Sequence, residues 1–244
     1  MSGTTKIEWC DRVWNPVTGC DKVSEGCRNC YAERIASRFW GERKFDQVQC
    51  HPDRLSEPGK WKKPQRIFVN SMSDLFHPDV LGAFMADVWD EMVSHPRHTF
   101  MVLTKRPDRL LEFAKWYGDE FKSQNIWIGV SVENQKAADE RIPLLLQTPA
   151  AVRFVSVEPM LGEVDLGNFL CADYRHKLTL GNYLDWVICG GETGSGARPM
   201  HPDWARSLRD QCQAVGIPFF FKRLGGGSGR LLDCQEWNQF PEVE

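Results

Sequence analysis

Residues 14–31 read WNPVTGCDKVSEGCRNCY and carry Cys20, Cys27 and Cys30 in the spacing C-x6-C-x2-C. The chain has nine cysteines, an odd number that cannot pair completely. In a reducing compartment such a cluster reads as metal-binding or catalytic rather than as disulfides. A structural zinc needs four ligands, most often from two C-x2-C pairs or with histidines. The fourth would have to come from elsewhere, with Cys10 or the neighbouring Cys50 and His51 as candidates. An iron–sulfur cluster held by three cysteines instead leaves one iron open to a substrate or cofactor. Three close thiols without an obvious fourth favour the open site; zinc and no metal at all stay as alternatives. Cys171, Cys189, Cys212 and Cys234 are scattered, and Cys189 and Cys212 sit in apolar patterns that read as core.

The elements that must position this loop follow from the hydrophobic pattern. RIFVNSM, TFMVLTK, IWIGVSV, VRFVSVEP, DWVICGG and IPFFFK read as buried strands. Between them lie helical patterns. YAERIASRFWG spaces Tyr31, Ile35 and Phe39 four apart and stops at Gly41. DVLGAFMADVWDEMVSH puts Leu81, Phe84, Met85, Val88 and Met92 on one face. PDRLLEFAKWY starts at Pro107. ENQKAADERIPLLLQT is expected to be interrupted at Pro143, and HPDWARSLRDQCQAVG runs through Trp204, Leu208, Cys212 and Val215 to a Gly216 cap. Strands alternating with helices predict an α/β fold, a single-domain partial or complete parallel (β/α) barrel over residues 1–244. The Cys-rich loop (15–31) follows the first strand. Residues 42–65 read as a polar insertion, 162–184 as an irregular connection and 225–244 as a Gly-rich tail. Polar groups follow each strand, at the edge where parallel α/β folds place their active sites.

The 244 residues are 42% hydrophobic and 26% charged, with formal net charge −3. That balance excludes a strongly cationic nucleic-acid wrapper but allows a local basic groove. No apolar run approaches the roughly 20 residues of a membrane span. The opening MSGTTKIEWCDR has no signal-peptide pattern, so the expected location is cytoplasmic, the host cytoplasm if the chain is phage-encoded.

The stretch NPVTGCDKVSEGCRNCYAER resembles the cysteine loop of radical S-adenosylmethionine (SAM) enzymes, especially the spore photoproduct lyase-like branch. Gly19-Cys20, Gly26-Cys27, Cys30, Tyr31 and Ala32 match; six residues separate the first two cysteines where the usual pattern has three. NSMSDLFHP and VLTKRPDRLLEF resemble that branch's segments after the second strand and along the third strand and helix. A closer resemblance, over nearly the whole chain, is to a phage-associated family of uncharacterised proteins with the C-x6-C-x2-C loop, WNPVTGC, GVSVEN, SVEPMLG, GGETG and GRLLD. The resemblance implies a radical-SAM-like barrel in which Cys20, Cys27 and Cys30 hold a [4Fe-4S] cluster and SAM chelates the fourth iron. It also implies an enzyme that cleaves SAM reductively and needs an external electron donor. A nucleic acid or nucleotide substrate follows by analogy alone.

On that footing Tyr31, Ser71, Ser73, Ser131, Glu133, Glu158, Gly190, Gly191 and Glu192 are candidate SAM-binding residues, and Asp74 and Lys105 candidate catalytic ones. Glu133 and Glu158 at strand ends suit a ribose hydroxyl or the SAM ammonium. Each has a plainer reading, for instance as a carboxylate at a helix N-terminus. Ser71, Ser73 and Asp74 could instead cap a helix, and Lys105 with Arg106 could be a solvated pair. CGGETGSGARP is a turn able to bring backbone N–H groups close to a ligand, but it is no dinucleotide fingerprint. GGGSGR lacks the features of a phosphate loop and reads as a flexible turn. Arg54, Lys60, Lys62, Lys63 and Arg66 interleave with Trp61, a pattern compatible with single-stranded nucleic acid and common on ordinary surfaces. The rival function is a non-catalytic, zinc-stabilised binding protein on the same barrel.

Overall fold

A computed structural model describes residues 3–171, 182–226 and 229–242. Its main strands are β1 (Gly3–Thr4), β2 (Arg12–Trp14), β3 (Arg66–Val69), β4 (Thr99–Thr104), β5 (Ile126–Ser131), β6 (Val152–Val157), β7 (Trp186–Cys189) and β8 (Phe219–Phe221). The helices are α1 (Tyr31–Phe39), α2 (Gly82–Val93), α3 (Pro107–Tyr117), α4 (Gln135–Gln147) and α5 (Pro202–Val215). The chain divides into two compact units, residues 1–23, 30–128 and 148–151 in the first, and 24–29, 129–147 and 152–244 in the second. The division falls inside β5, after Ile128.

In the first unit the strands follow the order β1, β2, β3, β4, β5; in the second, β5, β6, β7, β8. β1 is antiparallel to β2, whereas β2 to β4 pair in parallel, as do β6 to β8. Every residue of β5 and of β7 is buried, which explains why they read as continuous apolar runs instead of alternating ones. The first unit packs Trp89 flat on Phe121, ring centroids 4.2 Å apart, and Trp14 against Phe100. The second packs Phe154 against Trp186 at 5.6 Å. Cys189 and Cys212 are fully buried core residues there.

Several local expectations change. In α1 the spacing of Tyr31, Ile35 and Phe39 marks the outer face, at 42%, 38% and 59% exposure, while Ala32 and Ala36 are buried. Small residues let this helix pack closely, so its inner face carries little hydropathy. In α2, Leu81 precedes the helix and is exposed, Phe84 is half-buried, and Trp89 joins Met85, Val88 and Met92 inside. α4 continues through Pro143. Proline costs a helix interior one hydrogen bond; here Ala137, Ala138, Arg141, Ile142 and Leu145 are buried along the helix and hold it.

The insertion at 42–65 is ordered: Gln49–Cys50 pairs antiparallel with Val17–Thr18, and short 3-10 turns form at Pro52–Arg54 and Pro58–Lys60. Part of the 162–184 connection, residues 172–181, lies outside the described residues, as do 227–228 of GGGSG. The described part of the tail contains a hairpin of Leu231–Leu232 with Gln235–Glu236. Among the described residues no helix is long and apolar enough to cross a membrane.

Candidate metal and cofactor site

In the first unit the loop after β2 is tied down from three directions. Asn15 Oδ1 accepts from Met72 N at 3.0 Å and Ser71 Oγ at 3.2 Å, and Asn70 Oδ1 accepts from Val17 N at 3.1 Å. Ser73 Oγ donates to the Val17 carbonyl at 2.8 Å. Gly19 has φ +95°, and a Cβ there would lie 2.5 Å from the Gln47 carbonyl oxygen, so only glycine lets the insertion close over this turn. Cys20 N donates to Phe45 O at 2.9 Å, and Arg43 donates to the Thr18 and Gln47 carbonyls. Ser71 and Ser73 thus fasten the loop that carries Cys20. Tyr31 also meets this strand end, its hydroxyl donating to the Ser71 carbonyl at 2.6 Å.

Asp74 is buried and accepts from Thr104 Oγ1, Lys105 N, Phe76 N and Arg106 Nη1. A carboxylate filled in this way orients its neighbours. Arg106 Nη1 in turn lies 3.5 Å from Cys20 Sγ, and its Nη2 donates to the Asp21 carbonyl. Burial opposes the charge of Arg106, but Asp74 and Cys20 beside it hold the guanidinium protonated beyond its usual range. Asp21 is gripped as well, by His77 Nε2 at 3.0 Å. Arg106 is therefore the side chain from this strand end that reaches a loop sulfur, while the half-buried Lys105 forms no ion pair among the described residues.

Cys27 belongs to the second unit, in the segment Ser24–Asn29. Gly26 packs on the side chain of Glu133, which Arg141 binds through both carboxylate oxygens, at 2.9 and 3.3 Å. Arg141 also donates to the carbonyl of buried Ser131. Asn134 donates to the Glu25 carboxylate. Glu192, 6% exposed, is paired with Arg198 and accepts from Asn29 Nδ2 at 2.8 Å and Arg198 N at 2.9 Å. Burial would raise its pKa, but these donors hold the Glu192 carboxyl down to about 2. Arg198 further donates to the Glu25 carbonyl. Glu158 forms an ion pair with Lys222 at 2.5 Å.

A Cβ on Gly191 would lie 2.2 Å from the Leu224 carbonyl oxygen, and one on Gly190 would press on Glu158 and Lys222. At this turn the close neighbours are residues 222–225 of the same unit. Arg141, Arg198, Asn29, Asn15 and Asn70 were not singled out by sequence. Asn29 between Cys27 and Cys30, and Arg198 six residues after Glu192, were the available signals.

Cys20, Cys27 and Cys30 are half-exposed thiols outside any disulfide, which suits them as soft ligands. Buried Asn70 Nδ2 has no hydrogen-bond partner among the described residues. Of the candidates for a fourth ligand, Cys10 Sγ donates to Ile7 O, His51 Nε2 lies 2.8 Å from Thr18 Oγ1, and Cys50 is a half-exposed free thiol. Burial pushes the Cys50 thiol up and lowers His51 to about 4. Among the described residues no three His, Cys, Asp or Glu side chains are gathered as a metal site. The chemistry of the three half-exposed thiols suits a cofactor held by soft sulfur ligands. In the basic stretch Lys60, Lys62 and Lys63 are exposed, whereas Trp61 is covered by Arg12 at 5.1 Å, Arg54 donates to Asn15 O and Arg66 pairs with Asp11.

No curated protein matches the chain. Among solved structures, a cysteine-to-serine variant of spore photoproduct lyase matches with TM-score 0.52 at 12% identity, covering 86% of this chain and 63% of that one. Spore photoproduct lyase complexed with dinucleoside spore photoproduct matches with TM-score 0.51 at 12% identity, covering 88% and 64%. The chain therefore spans less than two thirds of these structures. At such identity the likeness shows the fold alone, an α/β partial parallel barrel of the kind found in spore photoproduct lyase. Residues 4–241 match the family described as "Protein of unknown function (DUF5131)", and the chain belongs to that family.

Proposed function

We propose that the chain is a radical-SAM-like enzyme that takes up a [4Fe-4S] cluster on Cys20, Cys27 and Cys30 and binds SAM at the carboxyl ends of its strands. The observation that carries the reading is the set of three half-exposed thiols following β2 in a fold like that of spore photoproduct lyase. When bound, the pair would supply one-electron cleavage of a carbon–sulfur bond, with the electron from an external donor. The chain's own residues hold and orient. Arg106, braced by Asp74, donates toward the Cys20 sulfur, and Tyr31 fixes the start of α1 to the Ser71 carbonyl. Lys105, half-buried just after β4, offers a donor for the anionic parts of SAM. Glu133 and Glu192, whose oxygens are engaged by arginines, act on the ligand loop. A nucleic acid or nucleotide substrate is supported by the exposed Lys60, Lys62 and Lys63. Replacing Lys62 and Lys63 with alanine should lower the salt dependence of oligonucleotide binding.

The test is anaerobic reconstitution, followed by iron, sulfide and zinc analysis and electron paramagnetic resonance of the reduced protein with and without SAM. About four irons per chain, a signal that changes on adding SAM, and formation of 5′-deoxyadenosine are expected. Stoichiometric zinc, no sulfide and no response to SAM would instead mean a structural clip, and the enzyme reading would be abandoned.

A further inference from the structure

The six-residue segment Ser24–Asn29 leaves its chain neighbours and groups with the second unit. Its contacts there explain why. Asn29 Nδ2 donates to Glu192 Oε2 at 2.8 Å and to the Gly196 carbonyl at 3.0 Å. Arg198 donates to the Glu25 carbonyl at 2.9 Å while its Nε binds Glu192 Oε2 at 3.0 Å. Glu192 therefore joins both ends of the segment, through Asn29 at one and through Arg198 at the other. Gly26 and Cys27 lie between these anchors.

We infer that Glu192, Asn29 and Arg198 form a clamp whose task is to position Cys27 as a ligand. These are positioning residues: none needs to touch SAM or substrate. The inference rests on the proposed function for what Cys27 binds, but the clamp itself acts in the protein before any cofactor enters. A carboxylate at position 192 suits this because its Oε2 accepts from Asn29 Nδ2, Arg198 N and Arg198 Nε while its Oε1 pairs with Arg198 Nη2. The segment has only one short 3-10 turn, Glu25–Cys27, to hold its own shape, so the clamp supplies the order that a helix or strand would otherwise give. Loops that lack such anchors open locally far more often than the whole protein unfolds.

The test uses the full-length protein without cofactor. Alkylation by iodoacetamide is followed at each cysteine by peptide mass spectrometry in the wild type, Asn29→Ala and Glu192→Gln. Loss of one or two anchoring hydrogen bonds should raise the Cys27 rate about five- to tenfold, with the Cys20 and Cys30 rates unchanged and the thermal midpoint of Asn29→Ala lowered by only a few degrees. Arg198→Lys, which keeps the charge beside Glu192, should restore part of the protection lost in Arg198→Ala. After reconstitution, Asn29→Ala should alter the electron paramagnetic resonance line shape and lose iron faster to a chelator. Equal Cys27 rates in wild type and both variants, or a uniform rise at all cysteines, would overturn the clamp. Should the wild type take up no iron while Cys27 still responds selectively, the clamp stands and the cofactor reading fails.

Discussion

The imidazole of His51 is buried and lies 2.8 Å from Thr18 Oγ1, directly beneath the turn that leads to Cys20. Burial, aided by the nearby Arg54, lowers its pKa from 6.5 to about 4. An unfolded chain takes up this proton near its ordinary value, whereas the folded chain does not until about pH 4. Stability should therefore fall as pH drops through that window and level off below it. His51→Gln, which can keep the bond to Thr18, should flatten this part of a plot of urea midpoint against pH; an unaltered slope would show that another group is responsible. Asp74 is a second residue whose role can be separated by measurement. Its partner Arg106 has a side chain only 10% exposed, so Asp74→Ala leaves a buried cation without its carboxylate. That loss should cost about 3–5 kcal/mol in urea unfolding. A variant as stable as the wild type but inactive would instead support Asp74 as a catalytic group.

At the scale of elements, the turn after β7 is defined by backbone meeting backbone. Gly191→Ala would push a methyl group to within 2.2 Å of the Leu224 carbonyl oxygen, and neither side is the flexible end of a side chain. The turn and residues 222–225 must separate, which should destabilise the protein by roughly 1–3 kcal/mol; a thermal midpoint equal to wild type would contradict this packing. The strands and helices themselves were legible, because buried parallel strands and amphipathic helices leave short-range patterns. What α1 buries was not legible, since alanines pack without standing out and the spacing of Tyr31, Ile35 and Phe39 marks a helix without saying which face is covered. Likewise Pro143 announced a break that the buried side of α4 overrides. The candidate site was legible as residue types and not as partnerships. Glu133 and Glu192 were visible as strand-end carboxylates, but their pairing with Arg141 and Arg198 depends on where a helix and a loop return in space.

For the whole molecule, the choice between an open cluster and a closed metal clip reduces to which thiols are indispensable. Cys20, Cys27 and Cys30 are half-exposed, whereas Cys10 is buried with its sulfur directed to the Ile7 carbonyl; Cys50 is half-exposed too, with burial raising its thiol pKa. A cluster with one open iron needs the first three only. Serine at position 20, 27 or 30 should then each abolish iron and sulfide uptake, while Cys10→Ser and Cys50→Ser retain it in full. Cofactor bound to the folded chain alone also stabilises it by mass action. Reconstitution should consequently raise the thermal midpoint of the wild type, Cys10→Ser and Cys50→Ser, and leave that of the other three variants unmoved. A four-ligand clip completed by Cys10 or Cys50 gives a different pattern, because the matching serine variant would then release the metal and lose the added stability. Metal analysis and thermal unfolding of these five variants and of His51→Gln, read together, therefore separate an open cofactor site from a structural ion without any knowledge of the substrate.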